Sequence, residues 1–214
     1  MAKKNKQQQQ RLQKAKARKS QKRAKLARIR RSGSDLTQIS RWPILGAWVS
    51  GLGEHTLSQV LMARRRPDGA LAVSSFLLDL QCLGVKDAVF WAKMDDMQLL
   101  DLLERATGVM SLTECSAEDA ARVVEVGVSY AASIGFGPHP DYQKARRIFE
   151  GLDAGASELE VATGGPGGKP YFMSGPYDEV EGILQTLLER LGPDGFDYTA
   201  EVFPDPGGAL FSEE

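Results

Sequence analysis

The sequence predicts an α+β fold: a mixed or antiparallel sheet built on two hairpins with about four packed helices, preceded by a basic tail expected to be disordered. Three observations carry that expectation. Apolar runs at Val60–Ala63 and Leu71–Leu80 flank Pro67-Asp68-Gly69, where proline presets a negative φ and glycine accepts the left-handed position that closes a hairpin. Amphipathic stretches with capping residues at their starts recur downstream. Charge is divided abruptly near residue 31.

Residues 1–31 carry 14 of the 27 Lys and Arg and no Asp or Glu, which leaves 13 basic residues against all 28 acids in the remainder. The formal net charge of -1 therefore joins a strongly basic arm to a strongly acidic body. The organisation expected is a basic tail over 1–34, a single acidic α+β domain over 35–203, and an acidic frayed tail over 204–214. The break around Gly108 invites a division of the domain into lobes 42–108 and 116–203. Two cysteines, Cys82 and Cys115, imply no disulfide framework. No run approaches the length of a membrane span and no apolar leader opens the chain, so a cytoplasmic protein with no membrane partner is expected.

In chain order, Met1–Ser34 holds few large apolar residues beyond Leu12, Leu26 and Ile29, too few to offset chain entropy. Its basic residues are Lys3, Lys4, Lys6, Arg11, Lys14, Lys16, Arg18, Lys19, Lys22, Arg23, Lys25, Arg28, Arg30 and Arg31. They are the expected contacts to nucleic-acid phosphates, with salt-dependent affinity from counterion release. The tail lacks aromatics, so base stacking and sequence readout are not expected. RNA is the favoured nucleic acid.

Trp42–Val49 reads as a first strand with Pro43 at its start, and Ser50-Gly51-Leu52-Gly53 as a turn. The near-continuous run Leu71–Leu80 reads as a strand covered on both faces. Asp79 stands within it and must reach solvent or find a partner. With Lys86 and Asp87, beyond the Cys82–Val85 corner, it forms either a small functional cluster or a structural ion pair.

Ala88–Ala92 adds a strand, and Asp95 caps a helix running to about Ala106 and ended by Gly108. Ser116 with Asp119 caps a long helix ending at Gly135. Pro140 suits the first turn of a helix carrying Ala145, Ile148 and Phe149. His139, just before it, is either a proton-transfer residue or a loop residue that fixes a turn.

Leu159–Thr163 and Lys169–Met173 read as a second hairpin around Gly164–Gly168. That glycine-rich loop is not a phosphate loop, because Pro170 stands where Ser or Thr would ligate magnesium and a strand follows where a helix should. A helix over 178–191 starts with Asp178 and Glu181 spaced as a capping box, and Phe196–Phe203 closes the fold as a strand.

Four stretches, Val60–Gly69, Cys82–Asp87, His139–Tyr142 with Ala145–Phe149, and Gly168–Pro176, together resemble a set found in uncharacterised bacterial proteins. The resemblance covers about Trp42 to Leu191 and implies a bacterial source and a single body. It brings no activity, cofactor or catalytic residue with it.

The expected function is a non-enzymatic interaction protein, an acidic domain tethered by its basic arm to RNA, a ribosome or another polyanion, with the body meeting an unidentified protein partner. Two alternatives stand beside it. One is a metal-dependent hydrolase or nuclease with Asp79, Lys86, Asp87 and His139 at its site; the other is an acidic antitoxin-like or immunity-type binder. No cofactor is expected, and no spacing of His and Cys suggests a metal site.

Overall fold

The computed structural model describes residues 36–50, 52 and 57–200. The chain divides into two units, Met1–Arg41 and Trp42–Glu214. In the first, Leu36–Arg41 forms a 3-10 turn. The second holds the α+β body.

The body is built on a five-stranded antiparallel sheet, with strands β1 (Ile44–Val49), β2 (Leu57–Arg65), β3 (Leu71–Asp79), β4 (Gly84–Met94) and β5 (Thr113–Cys115) in the order β4-β3-β2-β1-β5. The Pro67-Asp68-Gly69 turn closes the hairpin of β2 and β3, in register from Arg65 opposite Leu71 to Leu57 opposite Asp79. Gly69 takes φ +82°, and the Arg66 N–H donates to the Ala70 carbonyl at 2.9 Å. The tight Asp79 corner then turns β3 into β4.

Both faces of β3 are covered, which accounts for its nearly unbroken apolar run. On one face Leu71 and Val73 pack with Ala63, Met94 and Leu99 of helix α1 (Asp96–Met110). On the other, Phe76 stacks on Phe149 at 5.3 Å and meets Tyr142 edge-on at 6.3 Å. Those rings belong to the short helix α3 (Tyr142–Ala145) and the 3-10 turn Arg146–Phe149. The long helix α2 (Ala117–Ser133), capped by the Ser116 hydroxyl, shares that face.

Gly84 fixes how closely α2 approaches. A Cβ there would lie 2.7 Å from both the Ala131 methyl and the Gly127 carbonyl oxygen, and its φ is +67°. Both the clash and the left-handed backbone oppose a side chain. Gly84→Ala is expected to cost about 2 kcal/mol, read as a lowered urea midpoint with unchanged slope.

Helix α1 begins at the expected cap, where Asp95 and Gln98 form a reciprocal capping box. It runs through Gly108 to Met110, and Ser111 takes the left-handed position at φ 50°. Gly108 is not in the left-handed region that would end the helix; the stop comes just before Thr113 joins β1 through the Val49 carbonyl.

The helix expected after Pro140 is a single α turn followed by a 3-10 turn. The reason lies in the sheet. Ser74 Oγ donates to the Ala145 carbonyl at 2.9 Å, and the Arg64 guanidinium donates to Ile148 and Glu150 carbonyls at 2.7 and 3.0 Å. Carbonyls engaged by the sheet are drawn away from continued α-helical bonding.

The second hairpin takes a different form. Leu159–Thr163 is not a strand, and β6 (Tyr171–Met173) pairs in parallel with β7 (Asp197–Thr199). Backbone donors of the expected hairpin go to the corner instead: Gly164 N–H to the Leu80 carbonyl and Tyr171 N–H to the Gln81 carbonyl, both at 3.0 Å. Helix α4 (Val180–Leu191) bridges β6 and β7, as a parallel pair requires. Its Leu187 shares a small core with Cys82, Leu83, Ile134, Phe172 and Phe196. The described part of the closing strand is Asp197–Thr199, and residues 201–214 lie outside the described residues.

Candidate functional site

The four residues singled out as catalytic candidates gather around the start of β4, but their side chains have separate partners. Asp79, at the end of β3, is 4% exposed. One carboxylate oxygen accepts the N–H groups of Gln81 and Cys82 at 2.9 Å each, and the other accepts that of Leu83 at 3.2 Å. The carboxylate thus organises the corner by taking donors that a tight turn would leave without partners. Burial pushes its pKa up, opposed by the three N–H groups and by the charge of Lys86.

The pairing of β3 and β4 slips between Leu77 opposite Asp87 and Leu78 opposite Val85, so Lys86 is the extra residue of a β-bulge. Bulges re-aim side chains, and Lys86 reaches Asp178 rather than Asp79. Its Nζ lies 2.6 Å from Asp178 Oδ2, with the two side chains only 16% and 12% exposed. The same oxygen accepts the Gly175 N–H at 2.8 Å. This explains the helix start: the Asp178 carboxylate is engaged there, and α4 begins at Val180 with no side-chain cap.

Breaking that ion pair should loosen the tether between β4 and the segment before α4. Lys86→Ala is expected to cost about 1–2 kcal/mol, because Asp178 then keeps a poorly hydrated charge. Removing both charges, with Lys86→Met and Asp178→Leu together, should cost less than the sum of the two single changes. A double-mutant cycle in urea checks this, and additive losses would show that the pair contributes nothing.

Asp87 is exposed, and its Oδ1 lies 4.0 Å from His139 Nε2. His139 is held in its loop by its own backbone N–H to the Val85 carbonyl at 3.0 Å and by Nδ1, which accepts the Asp141 N–H at 3.2 Å. That is the turn-fixing role. His139, Lys86 and Asp178 line one shallow cavity of about 260 Å3 with Leu83, Phe136 and Ile183, while Asp79 and Asp87 do not line it.

The thiol of Cys82, in the same corner, is pushed up to about 12 by burial and the Asp79 charge, so it stays protonated. Cys115 is pushed up to about 11, chiefly by burial. Neither is an activated nucleophile. Among the described residues, no three His, Cys, Asp or Glu side chains are grouped closely enough to hold a metal ion. No described helix is long and apolar enough to cross a membrane. The fourteen basic residues from Lys3 to Arg31 lie outside the described residues.

Sequence reasoning passed over Arg64 and the group around Tyr142 and Arg146. The Arg64 guanidinium is 2% exposed and donates to the carbonyls of Trp42, Ile148 and Glu150. Tyr142 and Arg146 stand four residues apart, the spacing that places side chains on one helical face; that was the signal available. Compared with protein-family models, curated proteins and solved structures, the chain finds no significant match.

Proposed function

We propose that this protein is a tethered adaptor: its basic arm binds the phosphates of RNA or of a ribosome, and its acidic body presents a surface to a protein partner. The observation that carries this reading is the charge division, 14 basic and no acidic residues in 1–31 against 13 basic and 28 acidic residues beyond. An acidic body is repelled by nucleic acid, so attraction is left to the arm. Asp96, Asp101, Glu104, Glu125, Glu158 and Glu181 all stand exposed on the body, in keeping with that division of labour.

Hydrolysis at Asp79, Lys86 and Asp87 is the weaker reading. The Asp79 carboxylate is engaged by three backbone N–H groups, and Lys86 is engaged by Asp178.

Co-sedimentation with total RNA and with ribosomes across a salt series tests the proposal. The full chain is expected to bind with a steep salt dependence, each phosphate neutralised adding about −0.7 to −0.9 to the log–log slope. A chain lacking residues 1–32, or one with the tail Lys and Arg changed to Gln, should not bind. Equal binding by the full and shortened chains would overturn the proposal.

A further inference from the structure

A half-open cavity lies away from the Asp79 corner, between α2 and the segment from Tyr142 to Leu152. It holds about 460 Å3, within the usual range for a small-molecule site. Apolar groups from Val124, Phe149 and Leu152 line part of it, and Tyr142, Arg146 and Glu125 bring polar ends to it.

The state of those polar ends separates this cavity from a mere packing gap. Tyr142 is only 6% exposed, yet its hydroxyl makes no hydrogen bond among the described residues. The side chain is enclosed but its oxygen is not sealed from solvent, so a partner can reach it from the cavity that Tyr142 lines. The Arg146 guanidinium lies 5.7 Å above the Tyr142 ring and forms no ion pair among the described residues. Its neighbour Arg147 is bound to Glu150 at 2.8 Å, so those two charges largely offset each other. Glu125, on α2, likewise has no ion pair among the described residues. Arg146 and Glu125 act on the Tyr142 hydroxyl in opposite directions, the first lowering and the second raising its pKa, beneath a larger upward push from burial.

The cavity therefore offers a cation and an anion that form no ion pair among the described residues, the Tyr142 hydroxyl and an apolar wall. The geometry points to a binding site for a small zwitterion with an apolar side chain, an apolar or aromatic α-amino acid. Its carboxylate engages Arg146 and the Tyr142 hydroxyl, its ammonium engages Glu125, and its side chain packs on Val124, Phe149 and Leu152. Arg146 is suited to the carboxylate because a guanidinium presents paired donors to it. This inference is independent of the arm and its polyanion.

Titration calorimetry on the full chain tests it with four probes: L-leucine, L-phenylalanine, 3-phenylpropanoate, which lacks the ammonium, and phenethylamine, which lacks the carboxylate. Leucine or phenylalanine should bind, and the two truncated analogues should bind at least about tenfold more weakly, since each leaves a charged group of the cavity unpaired. Arg146→Gln should weaken the amino acid by about tenfold or more, and Tyr142→Phe by about fivefold. Arg146 is exposed, so its variant should keep the wild-type urea midpoint, and Glu125→Gln supplies a second exposed variant with the same expectation.

An absence of binding by both amino acids, equal affinity for 3-phenylpropanoate, or an affinity unchanged in both Arg146→Gln and Glu125→Gln would overturn the inference. The basic arm cannot mimic the expected result. It would favour 3-phenylpropanoate, the one anionic probe, over the net-neutral amino acids, and would do so without regard to Arg146.

Discussion

Replacing Arg64 with methionine is expected to lower stability by about 3–4 kcal/mol, the largest single loss in the body, and to move the urea midpoint by roughly 1.5–2 M. Two opposing effects set the size of that loss. Removing a buried cation relieves its desolvation, which is why burial holds the Arg64 pKa below the usual arginine value despite the charges of Glu150 and Glu118. Against that, three carbonyls from Trp42, Ile148 and Glu150 lose their donors, each at a cost of about 1–3 kcal/mol where water cannot reach. The second effect wins. Arg64→Lys should recover only part of the loss, because an ammonium cannot span three divergent acceptors as a planar fork does. A methionine variant within about 1 kcal/mol of the parent would show that water replaces the guanidinium.

Asp79→Ala is expected to cost about 3 kcal/mol, since the N–H groups of Gln81, Cys82 and Leu83 lose their acceptor at a largely buried corner. The pH dependence follows from the raised pKa of the folded carboxyl. In the window above the unfolded value of about 4, the folded state holds the proton more tightly than the unfolded chain. Stability from this group is therefore present at low pH and is lost as pH rises through the window to the folded pKa. Asp79→Asn should flatten that part of the stability profile while retaining the acceptor for Gln81 and Cys82. A variant profile parallel to the parent's throughout would assign the slope to other groups.

The fold was legible where local chemistry and burial agree. The Pro-Asp-Gly turn, the doubly covered β3 and the caps at Asp95 and Ser116 all follow from neighbours within a few residues. What escaped the sequence is what long-range partners decide. Asp178 and Glu181 have the spacing of a capping box, but Asp178 is claimed by Lys86, 92 residues earlier. The segments on either side of Gly164–Gly168 resemble a hairpin, but the corner carbonyls of Leu80 and Gln81 take their donors. Arg64 stands in a run of three arginines whose fates differ: Arg64 is buried against carbonyls, Arg65 pairs with Asp96 at 2.6 Å, and Arg66 lies 4.8 Å over the Trp42 ring. Charge alone does not distinguish them, because side-chain alternation and the cover over each face enclose Arg64 and Arg66 and leave Arg65 partly open to solvent.

The candidate site was legible in the same uneven way. Asp79 was correctly read as a residue in need of a partner, and its partners proved to be the backbone just ahead of it. The pairing of Tyr142 with Arg146 was written in their spacing. What the spacing left out was the facing wall of α2, which arises from a different part of the chain.

Arg64 also sets an order of events for a chain made from its N-terminus. Its acceptors at Ile148 and Glu150 lie 84 and 86 residues downstream, so they do not exist when β2 leaves the ribosome. At roughly 5–20 residues per second, several seconds pass before they emerge. During that interval the nascent meander of β2, β3 and β4 can zip locally while the guanidinium keeps its water. The face of the sheet that carries Phe76 is sealed only when the later turn arrives and strips that water away.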